Sequence, residues 1–279
     1  MSGGDVERPE SGRDALPLYR LTLGYVGGPF EGWQSQPGGT GVQDHLEKAL
    51  RTMLRHDVRV AGASRTDSGV HAERQVASFR TAVPFDERKW LKSLQGLLPP
   101  EIGILEVGVA PADFHPAFSA AGKAYRYRLW LGVARNPFVL PYVWSLYQGL
   151  DAEVLAVEAQ AFVGTHDYTS FCAADSGAKT RTRTVTEVAV HQSGPLVDVW
   201  VTGQGFLKQM VRTMVGTLVD IAQGRRPRGQ VAEILACRDR TRAGQTAPAL
   251  GLALVEVFYE EGIRTVQEIR GREGFKLSL

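Results

Sequence analysis

The densest chemistry in this chain lies in Ala63-Ser64-Arg65-Thr66-Asp67-Ser68-Gly69-Val70-His71-Ala72. A cation, hydroxyls, one carboxylate and a glycine fall within a few residues. Read on residue type alone, such a segment suits a polar turn, because Asp and Ser cap turns and Gly supplies positive φ. It equally suits a carboxylate presented from a loop on a rigid sheet, where it can act as acid, base or nucleophile. Arg212 lies on an amphipathic helical pattern, which by periodicity alone suits a solvent-facing arginine. Tyr125 lies in the alternating run Tyr125, Tyr127, Leu129, Leu131, which by itself suits a packed aromatic. Basic clusters are Arg126 with Arg128, Lys179 with Arg181 and Arg183, and Arg225 with Arg226 and Arg228. Each is a candidate backbone contact for a nucleic acid, or solvated surface.

Other chemistries find no pattern. The two cysteines, Cys172 and Cys237, are far apart and form no CxxC, which speaks against a disulfide framework and a cysteine zinc site. The six histidines form no HExxH, so no metal site is expected; His71, His115 and His166 read as structural or hydrogen-bonding residues. Gly38-Gly39-Thr40-Gly41 lacks the lysine of a phosphate-binding loop.

The elements that must hold these residues follow from periodicity. Tyr19 to Tyr25 alternates as a strand. Thr40-Gly41-Val42-Gln43 fits a capping box ahead of a helix that buries Val42, Leu46, Leu50 and Leu54. Val58 to Gly62 and Gln75 to Arg80 read as strands flanking the Asp67 loop. Asp86 caps a helix stopped by Pro99-Pro100, and Ile102 to Val109 is a strand. The order then repeats. Ala124 to Leu131 is a strand, and Asp151 opens a helix to about Val163. Val185 to Val190 and Leu196 to Val201 form a hairpin. A helix from about Phe206 to Gln223 follows, then a short one near Val231 to Ala236, and Leu252 to Tyr259 is the last strand. Both halves read β-α-β-β-α-β, the split-βαβ order. The expected fold class is α+β, with two ferredoxin-like or RRM-like lobes whose sheets meet at a central cleft.

Length and composition bound the rest. The chain has 279 residues, 43% hydrophobic and 22% charged, an ordinary globular mixture. The net charge is +2, with −2 on the first seventeen residues and +4 on the remainder, so a nucleic-acid partner needs basic residues gathered on one face. The acidic start shows neither a signal nor a transit pattern, and no apolar run reaches the ~18 residues of a membrane span. The expected organisation is a disordered leader at 1–17, an N-terminal lobe at 18–115, a C-terminal lobe at 116–262 and a tail at 263–279, in a cytoplasmic protein.

The string Arg65-Thr66-Asp67-Ser68-Gly69-Val70-His71-Ala72 resembles the signature of the tRNA pseudouridine synthase A family. Further blocks follow in that family's order: Phe30 to Gln36, Val42-Gln43 with Leu46 to Leu50, Phe114-His115, and Phe118 to Ala120 with Lys123, Tyr125 and Tyr127. Then come His166 to Phe171, Arg183 to Val185, Gly205 to Leu207, Met210 to Arg212, and Thr246 to Ala249. Together they span about Tyr19 to Tyr259. Four positions depart from the pattern. Ser64 replaces a usual Gly, Ala117 a usual Arg, Gln204 a usual Asn or small residue, and Leu250 a usually polar one.

The resemblance implies a pseudouridine synthase fold and conversion of uridine to pseudouridine in the anticodon stem-loop of tRNA, at positions 38–40. It implies Asp67 as catalytic carboxylate, Arg212 as its ionic partner and Tyr125 as the ring beneath the uracil. Arg65 would prop the gap left by a flipped base. Lys123, Arg126, Arg183 and Lys208 would join Arg65 in binding RNA. It further implies a homodimer. The reaction involves no redox change, so no cofactor is expected. The same fold also suits a non-catalytic RNA-binding or RNA-chaperone protein, which has no need of Asp67, Tyr125 and Arg212 together. A glycosidase-like hydrolase would want a second carboxylate, which the motifs around Asp67 do not offer.

Overall fold

The computed structural model describes residues 16–147 and 149–271. Most of the expected leader and the last residues of the expected tail therefore lie outside the described residues.

The first half runs β1 (Leu18–Tyr25), α1 (Val42–Leu54), β2 (Ala61–Gly62), β3 (His71–Arg80), α2 (Glu87–Leu97) and β4 (Ile102–Val109). The second runs β5 (Gly122–Trp130), β6 (Trp144–Ser145), α3 (Ala152–Ala159), β7 (Gly164–Asp167), β8 (Thr182–Ser193), β9 (Leu196–Gly203), α4 (Met210–Ala222), α5 (Gln230–Cys237) and β10 (Leu252–Phe258). A last helix, α6, covers Val266–Gly271. The small strands β6 and β7 are additions to the expected order. Both are too short to show periodicity.

Each half carries the strand order fourth–first–third–second. In the first half β4, β1 and β3 are neighbours and β2 flanks β3; in the second, β10-β5-β9-β8. The two sheets meet edge to edge. β2 covers only Ala77 and Ser78 of β3, leaving the other end of β3 unpaired on that side. β10 fills the vacancy in parallel, with Ala253 opposite His71 and Leu254 opposite Ala72. An unpaired strand edge is costly, and the shortness of β2 directs this join. The result is one ten-stranded sheet.

One apolar cluster runs beneath α1–α5, from Leu21 and Leu23 on β1 to Val199 on β9 and Met214 on α4. A second, small cluster sits on the opposite face, where Val266 and Ile269 of α6 cover Ala124, Trp200 and Val255. Strand alternation therefore sorts β5. Tyr125, Tyr127 and Leu129 face the helices, and Ala124 the other side.

Two boundaries move from expectation. The N-cap of α1 is Gly41 rather than Thr40, and the reciprocal bond comes from Asp44, whose carboxylate accepts the Gly41 N–H at 3.0 Å. Thr40 is drawn off by Glu31, and Gln43 by Gln34, Ser35 and Val60. Helix α4 starts at Met210, not Phe206, because Gln209 takes φ +60° and breaks the helical path. Phe206 is thereby left in the approach to the helix, where its ring meets Tyr125 edge-on at 5.1 Å.

Candidate active site

The Asp67 loop links β2 to β3 and is held from both sides. Gln75, fully buried on β3, donates from Nε2 to the Ser64 carbonyl at 2.6 Å, and its Oε1 accepts from the Ser64 N–H at 3.2 Å. The Thr66 carbonyl accepts from Trp33 N–H at 3.1 Å, and the Thr66 hydroxyl pairs with Tyr25 at 2.8 Å. Gly32, at φ +85°, lies so close that a Cβ there would sit 2.5 Å from the Thr66 carbonyl oxygen. The Val70 N–H closes the turn on the Asp67 carbonyl at 3.1 Å. Backbone groups on either side of Asp67 are thus committed, while its carboxylate stays 22% exposed.

Arg212 meets that carboxylate from the first turn of α4. Its Nη1 donates to Asp67 Oδ2 at 2.8 Å, and its Nε to the Ala247 carbonyl at 2.8 Å. The Ala247 N–H in turn bonds the Arg212 carbonyl at 3.1 Å. This clamp needs the segment around Gln245 to lie directly on α4. Gly216 permits it, since a Cβ there would fall 1.9 Å from the Gln245 carbonyl oxygen. A guanidinium fixed by two acceptors presents its charge without losing rotamer freedom on binding.

Tyr125 completes the centre. Its hydroxyl shares a hydrogen bond with the Ser64 hydroxyl at 2.7 Å, and the ring is buried. Burial pushes the phenol up to about 12, and the nearby Asp67 charge adds to the rise. Beside it, the Tyr127 hydroxyl donates to the Pro248 carbonyl at 2.7 Å, and burial raises that phenol too. The two halves are also tied behind the loop. His71 accepts the Gly27 N–H on Nδ1 at 3.1 Å and reaches the Leu250 carbonyl with Nε2 at 3.0 Å. That arrangement calls for a neutral ring with the proton on Nε2, and burial lowers the imidazole pKa.

The cations divide. Arg65 is exposed beside Asp67 and has no side-chain partner among the described residues. Lys208, just before α4, pairs with Asp175 at 2.6 Å and feels the Asp67 charge. Lys123 faces the helix side two residues before Tyr125, and burial lowers its ammonium to about 8, with Arg183 adding to the shift. Arg183 donates from Nη1 to the carbonyls of Thr180 and Thr182. Arg126 is not brought to this site. It lies on the opposite sheet face, ion-paired with Glu73 and over the Trp200 ring at 5.3 Å, because it differs by one residue in parity from Tyr125. Arg128 likewise pairs with Asp198 at 3.3 Å. Arg225 and Arg226 are taken by Asp220, and Arg228 by Asp151.

Sequence reasoning left Ser64, Gln75 and Phe206 without roles. Ser64 stood out only as a departure from a pattern, Gln75 as one polar residue in a strand. Polarity at an inward-facing strand position was the available signal for Gln75. Among the described residues, no three His, Cys, Asp or Glu side chains gather closely enough to hold a metal ion, and no helix is long and apolar enough to cross a membrane.

An arginine-held carboxylate beside a buried tyrosine, where the two halves of an α+β sheet join and with lysine and arginine side chains around it, is the class of centre the fold presents. Comparison with known proteins narrows it. A family model described as tRNA pseudouridine synthase matches residues 159–260. The tRNA pseudouridine synthase A of Myxococcus xanthus is 42% identical over 248 residues, covering 88% of this chain and 94% of that one. That of Geobacillus kaustophilus is 42% identical over 244 residues, covering 87% and 94%. That of Pelobacter propionicus is 40% identical over 244 residues, covering 88% and 100%. The chain belongs to the tRNA pseudouridine synthase A family.

Proposed function

We propose that this protein isomerises uridine to pseudouridine in the anticodon stem-loop of tRNA, at positions 38–40, with Asp67 as the catalytic carboxylate. The observation that carries this reading is the Asp67–Arg212 pair at 2.8 Å, formed by residues from the two halves and adjoining the Tyr125 ring. The reaction breaks the bond from uracil N1 to the sugar C1′ and joins C5 to C1′. A proton leaves C5 and N1 gains one, so substrate and product are isomers and no cofactor is consumed. Arg212, bonded to Asp67 Oδ2 at 2.8 Å, holds the carboxylate aimed at the sugar–base bond. Tyr125 offers its ring to the uracil, with its orientation fixed by Ser64 and Phe206.

The target base is stacked in RNA and must leave the stack, at a cost of a few kcal/mol. Exposed Arg65 is the residue that fills the gap, since a guanidinium stacks on bases and binds phosphate. Lys123, Arg183 and Lys208 contact the backbone. The strand orders support reading the chain as two ferredoxin-like lobes, 18–115 and 116–262, with the site at their seam. The protein works as a cytoplasmic homodimer.

Asp67→Asn and Asp67→Ala are expected to fold and bind tRNA while forming no pseudouridine. The check is base mapping of tRNA after incubation with each variant. Normal turnover by Asp67→Asn would overturn the assignment.

A further inference from the structure

Of the cations around the centre, Arg212 has Asp67 and Lys208 has Asp175. Arg65 stands exposed without an anion, and two more cations, partly buried, also lack one among the described residues. Lys123 is half-buried on the helix-facing side of β5, and among the described residues it makes neither an ion pair nor a side-chain hydrogen bond. The charge that acts on it is another cation, Arg183. Arg183 is held through Nη1, by the carbonyls of Thr180 and Thr182 and the Thr180 hydroxyl, and among the described residues it meets no carboxylate. The sheet register brings the two together. Lys123 lies opposite Gly203 on β9, and Gly203 lies opposite Val185 on β8, two residues from Arg183. Gly205 borders the Arg183 side chain, and a Cβ there would lie 4.0 Å from its Cδ and Nε.

Two neighbouring, partly buried cations with no counter-ion repel each other and lose solvation, an arrangement that an arriving anion relieves. We infer that Lys123 and Arg183 form a built pocket for one phosphodiester group of the RNA strand, next to the nucleotide whose base lies on Tyr125. Lys123 is two residues from Tyr125 on the same strand face, about 6.6 Å along the chain. That is within reach of the phosphate attached to the sugar of a base resting on the ring. The pocket therefore registers the strand, setting which nucleotide stands over Asp67. It rests on the reading of the site as one for RNA.

The pocket also has a pH signature. The groups facing Lys123 are Arg183 from β8 and Tyr125 on its own strand, while β9 and β10 oppose it with Gly203 and Val257. Beyond Arg183 stand Arg181, Arg240, the buried thiol of Cys172 and the Asp167 carboxylate, and His166 lies opposite Arg183 on β7. Asp167, the carboxylate among them, is paired with Arg238 at 3.2 Å and does not act on Lys123. Binding through Lys123 should weaken as pH rises past about 8.

The test uses stem-loop RNAs carrying a single neutral methylphosphonate at successive positions around the target uridine, with affinity measured apart from turnover. In the wild type, one position should weaken binding by about tenfold, the order expected for one charge-assisted hydrogen bond. Lys123→Met should weaken binding of the ordinary RNA by a similar factor, and the methylphosphonate at that position should then cost nothing more. Lys123→Arg should bind with flat affinity between about pH 7 and 9, where the wild type declines. Full, additive penalties at every phosphate in Lys123→Met, or a wild type without the alkaline decline, would overturn the proposal. A wild type that binds with these signatures but forms no pseudouridine would instead overturn the functional reading and leave the pocket standing.

Discussion

At the scale of single residues, hydroxyl and amide contacts hold the loop that carries the carboxylate. Ser64 is the clearest case. Its hydroxyl meets the Tyr125 hydroxyl at 2.7 Å. Ser64→Gly should therefore release the phenol without altering the Asp67–Arg212 pair. The expected loss is about 1 kcal/mol, the net worth of one hydrogen bond, or roughly a fivefold fall in kcat with KM little changed. Steady-state kinetics on a stem-loop substrate would show it, and an unchanged kcat would assign the contact no role. Gln75 acts one step further out. It closes two bonds to the Ser64 backbone while fully buried, so Gln75→Leu strands a buried donor and acceptor at a cost of about 2–3 kcal/mol. Denaturant unfolding would measure that loss, and a midpoint equal to the wild type would refute it.

At the scale of elements, the decisive contact is between α4 and the segment from Gly244 to Ala247. Arg212 is aimed by the Ala247 carbonyl, and the Gly244 N–H bonds the Thr217 hydroxyl at 2.9 Å. Gly216 is the only residue type that fits between, given the 1.9 Å that a Cβ would leave to Gln245. Gly216→Ala should push the segment off the helix at a cost of about 1–3 kcal/mol, the range for overpacking. Activity should fall by more than stability alone explains, because Arg212 loses its aim. Thermal melts and kinetics on one preparation separate the two effects, and full activity in a destabilised variant would contradict the clamp. The N-terminus of α1 carries a related lesson. Thr40 and Gln43 match a capping box in type and spacing, yet Asp44 does the capping because tertiary partners claim the other two.

At the scale of the whole molecule, two halves become one sheet through the short pairing of β3 with β10, and His71 spans that join. It takes the Gly27 N–H from the first half and meets the Leu250 carbonyl of the second. Burial lowers its pKa below the 6.5 of a free imidazole. The folded state thus binds the proton less readily than the unfolded chain. Its stabilising contribution is complete above about pH 6.5 and is lost as pH falls from there through the lowered native value. Wild-type melting temperature should drop more between pH 8 and pH 5 than that of His71→Asn, and parallel curves would exclude the effect. RNA affinity belongs to this scale too. With a net charge of only +2, binding relies on locally gathered cations, and a plot of log affinity against log salt should be steeply negative.

How much of this was legible beforehand follows the range of each interaction. The loop at Asp67, the buried stripe of α1, the Asp86 and Asp151 caps and the β8–β9 hairpin were readable because each is fixed by residues within a few positions of one another. The repeated order was readable for the same reason, since period and length mark each element separately. Strand parity alone already turned Arg126 away from Tyr125, and Glu73 and Trp200 then occupied it. Partners distant in sequence are not legible from residue type and spacing, and the Asp67–Arg212 pair was expected only through the family resemblance. Ser64 finds Tyr125 across sixty-one positions, Asp67 finds Arg212 across 145, and β3 accepts β10 because β2 is too short to cover it. Sequence by itself determined which groups were present and which elements would carry them. Only the tertiary structure decided which groups meet, because hydrogen bonds and ion pairs depend on distances that chain order does not encode.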